Sequence, residues 1–69
     1  MRTPIPKYLM IKSILQARLE RESEPGAKLP PEIALCKDFG VSRVTIQQAL
    51  GHLEKEGLIR REQGRGTFY

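Results

Sequence analysis

The sequence predicts a small α+β fold, three helices followed by a C-terminal β-hairpin, and three observations point to it. Apolar residues recur at helical spacing in three segments. Gly40 separates the second segment from the third by a tight turn, in Phe39-Gly40-Val41-Ser42-Arg43-Val44-Thr45-Ile46-Gln47. The end of the chain holds two short runs on either side of Gly64-Arg65-Gly66, which reads as a hairpin. Sixty-nine residues suffice for a single domain, spanning 1–69, with one modest core.

The elements follow in order. Pro4 and Pro6 stiffen the entry, and Pro6 suits the first turn of a helix. Tyr8, Ile11, Leu15 and Leu19 then form a helical stripe that Ile14 widens, and the helix is expected to run to about Glu22, ahead of the breaker pair Pro25-Gly26. Lys28-Leu29 is a short extended piece. The second helix begins near Pro31 or Glu32, with Glu32 at the positive end of its dipole. Ile33, Leu35, Cys36 and Phe39 supply its apolar face. Ser42 caps the third helix, Ile46, Ala49, Leu50 and Leu53 are its buried stripe, and Gly57 closes it. Leu58–Glu62 and Thr67–Tyr69 are the expected strands.

Composition narrows the function classes. Twelve basic against eight acidic side chains give a net charge of +4, which favours a polyanionic partner. The excess lies toward the two ends of the chain, while the stretch from Pro25 to Gly57 is neutral. One cysteine and one histidine leave no basis for a disulfide or a metal site, and no cofactor is expected. No catalytic residues are assigned, because no nucleophile–base pair or phosphate-binding Gly-rich loop is present. Met1-Arg2-Thr3-Pro4-Ile5-Pro6 lacks the apolar run of a leader, and no stretch approaches the roughly 20 apolar residues of a membrane span. A cytoplasmic location, which in a bacterium means access to the chromosome, and no membrane partner are the expectation.

Two helices joined at a glycine, with polar side chains at the mouth of the second, describe a helix-turn-helix; the basic hairpin makes it a winged helix-turn-helix. These motifs resemble the N-terminal DNA-binding domain of the GntR family of bacterial transcription regulators. The resemblance runs from Pro6-Lys7-Tyr8 with Ile11 and Leu15 through Pro25-Gly26-Ala27-Lys28-Leu29-Pro30-Pro31-Glu32 to Phe39-Gly40-Val41-Ser42-Arg43. It continues with Thr45-Ile46, Ala49-Leu50, Leu53-Glu54-Lys55-Glu56-Gly57-Leu58-Ile59 and Gly64-Arg65-Gly66-Thr67-Phe68. Three positions depart from the family pattern. Pro31 stands where a capping Ser is usual, Ile33 where a basic residue often follows the Glu, and Gln47 where Arg is frequent. The docking mode is therefore expected to persist while the operator sequence stays open.

Site expectations follow residue by residue. Arg43 is either a solvated charge or a bidentate partner of guanine O6 and N7, worth about 1–3 kcal/mol of discrimination. The resemblance matches it to the base-reading arginine. Ser42 is an N-cap, a phosphate contact, or both. Thr45 reaches a thymine methyl, a phosphate or a backbone carbonyl, and Val44 offers a methyl contact. Gln47 is a polar surface residue or a reader of adenine N6 and N7. In the wing, Gly64 and Gly66 serve the turn and let backbone approach DNA, with Arg65 between them as a solvated charge or a minor-groove probe. Arg60 and Arg61 point to opposite faces of a strand, so at most one faces DNA well. Cys36, Tyr8, Phe39 and Phe68 are core, His52 faces solvent, and Glu20, Glu22, Glu54 and Glu56 are solvated. A protein-interaction module is the rival reading, and salt dependence separates the two.

The resemblance also implies double-stranded DNA with a palindromic operator as the partner, and a C-terminal domain, expected to be absent from this chain, that binds a small-molecule effector and carries most of the dimer contacts. The longer protein is then expected to be a homodimeric repressor. With no apolar face left over, this chain alone is expected to be a monomer or weak dimer.

Overall fold

In the computed structural model, which describes residues 4–69, five elements follow one another in the expected order. They are α1 (Lys7–Glu22), α2 (Glu32–Phe39), α3 (Arg43–Lys55), β1 (Arg60–Glu62) and β2 (Gly66–Phe68). Met1, Arg2 and Thr3, which open the stretch read for a leader, lie outside the described residues. Helix α3 is the centre of the packing, with α1 and α2 both laid against it. Its Ile46, Ala49, Leu50 and Leu53 are at most 1% exposed, the stripe expected from their spacing.

Helix α1 buries Ile11, Leu15 and Leu19, and Tyr8 packs at the margin of the same core. Pro6 is the N-cap, one residue before the first turn, with φ −57°. Ile14 does not widen the buried stripe: it is 47% exposed, and Met10 beside it is 50% exposed. A helix with one main packing partner buries only a narrow seam, which leaves the flanking positions in water. Helix α2 is eight residues long, and of its apolar positions Leu35 is buried while Cys36 and Phe39 pack at the core's edge. Ile33, expected on that face, is instead 63% exposed. Met10, Ile14, Phe39 and Val41 line a shallow groove, so the chain does keep an apolar strip that the sequence reading did not foresee.

Helix α3 ends in a Schellman motif. The Gly57 N–H donates to Glu54 O at 2.9 Å and the Leu58 N–H to Leu53 O at 2.9 Å. That second bond takes Leu58 out of any strand, and Ile59 then turns into the core at 5% exposure. The first strand is accordingly shorter than expected, starting at Arg60, while β2 keeps its expected length but is shifted one residue toward the turn, to Gly66–Phe68. They pair antiparallel, with Arg60 opposite Phe68, Arg61 opposite Thr67 and Glu62 opposite Gly66. The expected extended piece at Lys28-Leu29 lies along the outer side of β2. Lys28 bridges Phe68, and the Leu29 N–H donates to Thr67 O at 2.8 Å. The Tyr69 N–H donates to Ala27 O at 2.8 Å, and the Gly26 N–H to Tyr69 O at 2.7 Å. A strand edge that would otherwise stay open is thereby covered.

Several side chains read as bland turn out to hold elements together. His52 is half-buried and stacks on Tyr8, with ring centroids 5.0 Å apart, rather than facing solvent. Glu56 is paired with Lys12, and Glu54 with Arg61, so neither carboxylate is merely solvated. The Arg18 guanidinium lies 5.2 Å from the centre of the Phe39 ring and bonds Asp38 at 2.8 Å, tying α1 to α2. Phe68 is half-buried. Among the described residues, no helix is long and apolar enough to cross a membrane.

Candidate nucleic-acid interface

The turn between α2 and α3 aims the start of α3 away from the core. Gly40 adopts φ 67° and ψ 38°, the left-handed region open to glycine at little cost. The Gly40 and Val41 N–H groups both donate to Cys36 O, at 2.8 and 3.1 Å, which closes α2 within two residues. Ser42 follows with φ −75° and ψ 162°, and its Oγ accepts from the Thr45 N–H at 3.4 Å. The capping role is therefore realised, although the bond is long. The Thr45 hydroxyl lies 3.2 Å from the same Ser42 Oγ, which makes Ser42 its hydroxyl's neighbour in the free chain.

Burial of Ile46 fixes the rotation of α3, and the residues around it then face outward. The Arg43 side chain is 69% exposed. Val44 is 63% exposed, Gln47 is exposed and Thr45 is half-buried. Arg43 and Gln47, one turn apart, share a neighbour from another helix that no local spacing connects with them. Glu32, on the first turn of α2, accepts at one carboxylate oxygen from Gln47 Nε2 at 3.2 Å and from Arg43 Nη2 at 3.4 Å. Its value as a dipole partner was readable from position; its contact with α3, across 11 and 15 residues, was not.

The wing tip is a turn closed by the Arg65 N–H donating to Glu62 O at 3.0 Å, with Gln63 and Gly64 exposed on it. Arg65 is 75% exposed and its Nη1 lies 3.1 Å from Glu62 Oε1. Arg60 Nε donates to the other oxygen of Glu62 at 2.7 Å. Arg60 and Glu62 thus share one face of β1, and Arg61 takes the opposite one, bonding Glu54 on α3. Of the two strand arginines, Arg60 is the one on the outer face with Arg65.

Gly66 has a further role. A Cβ there would come within 2.7 Å of Lys28 Cε, so the missing side chain is what lets Lys28 lie across the wing. Lys28 therefore joins the site, which sequence reading had not assigned to it. Together the start of α2 and the wing enclose a groove of about 540 Å³, lined by residues that include Lys28, Pro31, Glu32, Gln63 and Arg65. Of the residues expected at the site, Arg43, Val44 and Gln47 come together on α3, while Gly64, Arg65 and Gly66 come together on the wing. Ser42 and Thr45 close the N-terminus of α3.

This arrangement has the means to read a duplex. A helix about 10–12 Å across fits a major groove about 12 Å wide. The α3 N-terminus offers N–H donors and the positive dipole end to an anion.

Comparison with known proteins places this geometry among its relatives. The family described as bacterial regulatory proteins, gntR family, matches residues 7–68. The HTH-type transcriptional repressor NagR of Bacillus subtilis (strain 168) is 43% identical over 67 residues, which is 96% of this chain and 28% of that protein. The arabinose metabolism transcriptional repressor of Geobacillus stearothermophilus is 45% identical over 65 residues, 93% of this chain and 18% of that protein. The chain thus spans less than a third of either relative. The solved structure of AraR(DBD) in complex with operator ORR3 is similar at a TM-score of 0.90 and 38% identity, covering 99% of this chain and 83% of that one.

Proposed function

We propose that this chain, which belongs to the GntR family of bacterial regulatory proteins, is a sequence-specific reader of double-stranded DNA that serves transcriptional repression. The observation that carries the reading is the exposed first turn of α3, where Arg43 stands 69% exposed on a helix fixed by buried Ile46. The two relatives are both repressors by name, and the similar AraR domain is seen with its operator.

In this reading α3 enters the major groove. Arg43 bonds guanine O6 and N7, Gln47 reads a second base, and Val44 and Thr45 add methyl contacts. Ser42 and the α3 N-terminus hold a phosphate. The wing, with Arg65 between Gly64 and Gly66, follows the adjacent minor groove. The chain is a binding module and no enzyme, and it works in the cytoplasm. In a longer protein a second domain would bind a small-molecule effector and dimerise. The operator would then be palindromic, with half-sites about 10 bp apart or a multiple of that.

Selection of sites from random duplex DNA, with the chain fused to a dimerising partner, tests the reading. A palindromic consensus that vanishes in Arg43→Ala is the expected result. No enrichment, together with binding indifferent to salt, would overturn it in favour of a protein partner.

A further inference from the structure

Glu32 sits beside the outward face of α3 and is itself only 26% exposed in its side chain. Its partner Gln47 is an amide, whose two ends look alike in shape and differ in chemistry: one end donates, the other accepts. A carboxylate can only accept, so the end of Gln47 that meets Glu32 must be the NH₂ group. The 3.2 Å contact from Nε2 to Glu32 Oε1 has that polarity. Gln47 Oε1 is then the end turned away from Glu32, and one N–H of the amide stays free for another acceptor.

Resting on the proposed DNA reading, we infer that Glu32 is a positioning residue that locks the Gln47 amide in one orientation and so makes the α3 site prefer adenine over guanine. A locked amide presents an acceptor beside a donor. Adenine offers the matching pair in the major groove, N6–H₂ and N7. Guanine offers two acceptors, O6 and N7, and would set O6 against Gln47 Oε1. A free amide could flip to suit either base better, and its preference would fall. The same Glu32 oxygen lies 3.4 Å from Arg43 Nη2, so the carboxylate also marks the Arg43 side on which no base is read. The guanidinium keeps its remaining N–H groups for guanine. Glu32 thereby separates a guanine-reading residue from an adenine-reading one without touching DNA itself.

The test uses the duplex recovered by site selection, with each A·T pair in turn replaced by G·C. Titrations by fluorescence anisotropy compare the unaltered chain with Gln47→Ala, Glu32→Ala and Glu32→Gln. The unaltered chain is expected to lose about tenfold in affinity at one such position, the scale of a bidentate base contact. Gln47→Ala should abolish that difference, which assigns the position to Gln47. Glu32→Ala should keep the salt dependence and helix content while the adenine preference at this one position falls to within about twofold. Glu32→Gln keeps the shape but admits both amide orientations, so it should lose the preference too, and it carries the test should Glu32→Ala not fold. A merely structural role for Glu32 would lower affinity at every position alike.

An adenine preference intact in both Glu32 variants would overturn the inference and leave the DNA reading standing. So would a Gln47→Ala variant that changes no position. Failure of the unaltered chain to select any site would overturn the DNA reading itself, and the inference with it.

Discussion

Arg61 ties the first wing strand to the back of α3 through Glu54: its Nε donates to Oε1 at 3.1 Å, and its backbone N–H donates to Oε2 at 3.3 Å. The guanidinium also passes close to Gly51, where a Cβ would stand 3.7 Å from Nη2. Wing and helix are therefore set against each other by one side chain. Both partners are more than a third exposed, so the ion pair is worth no more than about 0–1 kcal/mol. Arg61→Ala should shift the melting temperature little, yet lower DNA affinity by loosening the wing. Thermal melts with anisotropy titrations check this; unchanged affinity would show that the wing is held without Arg61.

Ser42 has two duties that substitutions can separate. Asp caps a helix as well as Ser does, and its charge suits the dipole, but it repels a phosphate. Ser42→Asp should keep stability and lose DNA binding. Ser42→Ala should lose about 1 kcal/mol of stability through the missing cap. Denaturant titrations beside binding titrations distinguish the two, and an Asp variant that binds normally would remove the phosphate role.

Gly40 permits a prediction about the turn alone. At φ 67° a Cβ would find nothing within 4 Å, so Gly40→Ala adds backbone strain without a clash. That strain costs roughly 1–2 kcal/mol. Stability should fall by that amount in urea titrations, with the two helices still formed by circular dichroism. A loss well above it would mean that the turn rearranges.

The fold was legible because its signals are local. The α3 stripe, the glycine turn, the cap at Ser42 and the extended Lys28-Leu29 piece each depend on neighbours a few residues away. The failures share a different cause. Ile14 and Ile33 are apolar and correctly spaced, but whether they are buried depends on how many partners each helix meets, which spacing does not encode. His52 was placed by its own helix, whereas Tyr8, 44 residues earlier, decides its environment. At the candidate site, Arg43, Gln47 and Arg65 could be named from position, but the carboxylates that hold them could not. Glu32 reaches α3 through tertiary packing, and Lys28 reaches the wing only because Gly66 leaves room.

Arg43 and Arg65 should fail in different ways when removed, because one is assigned to bases and the other to the backbone and minor groove. Both are well exposed, at 69% and 75%, so neither truncation should disturb folding. Each is paired with a carboxylate in the free chain, Glu32 for Arg43 and Glu62 for Arg65. DNA binding must exchange the weak Arg65–Glu62 surface pair for stronger contacts, whereas Arg43 has further N–H groups to give to a base beside its Glu32 contact. Arg43→Ala should cost about 1–3 kcal/mol on the selected site and little on random duplex, relaxing the preference at one guanine. Arg65→Ala should weaken binding to both DNAs alike and reduce the slope of log K against log salt by about one. Titrations at three salt concentrations, with selected and random duplexes, give these affinity costs and the salt slope, and a selected duplex with that guanine replaced gives the preference. If Arg65→Ala instead changed sequence preference and left the salt slope untouched, the wing would be reading bases, and the division of labour between α3 and the wing would have to be redrawn.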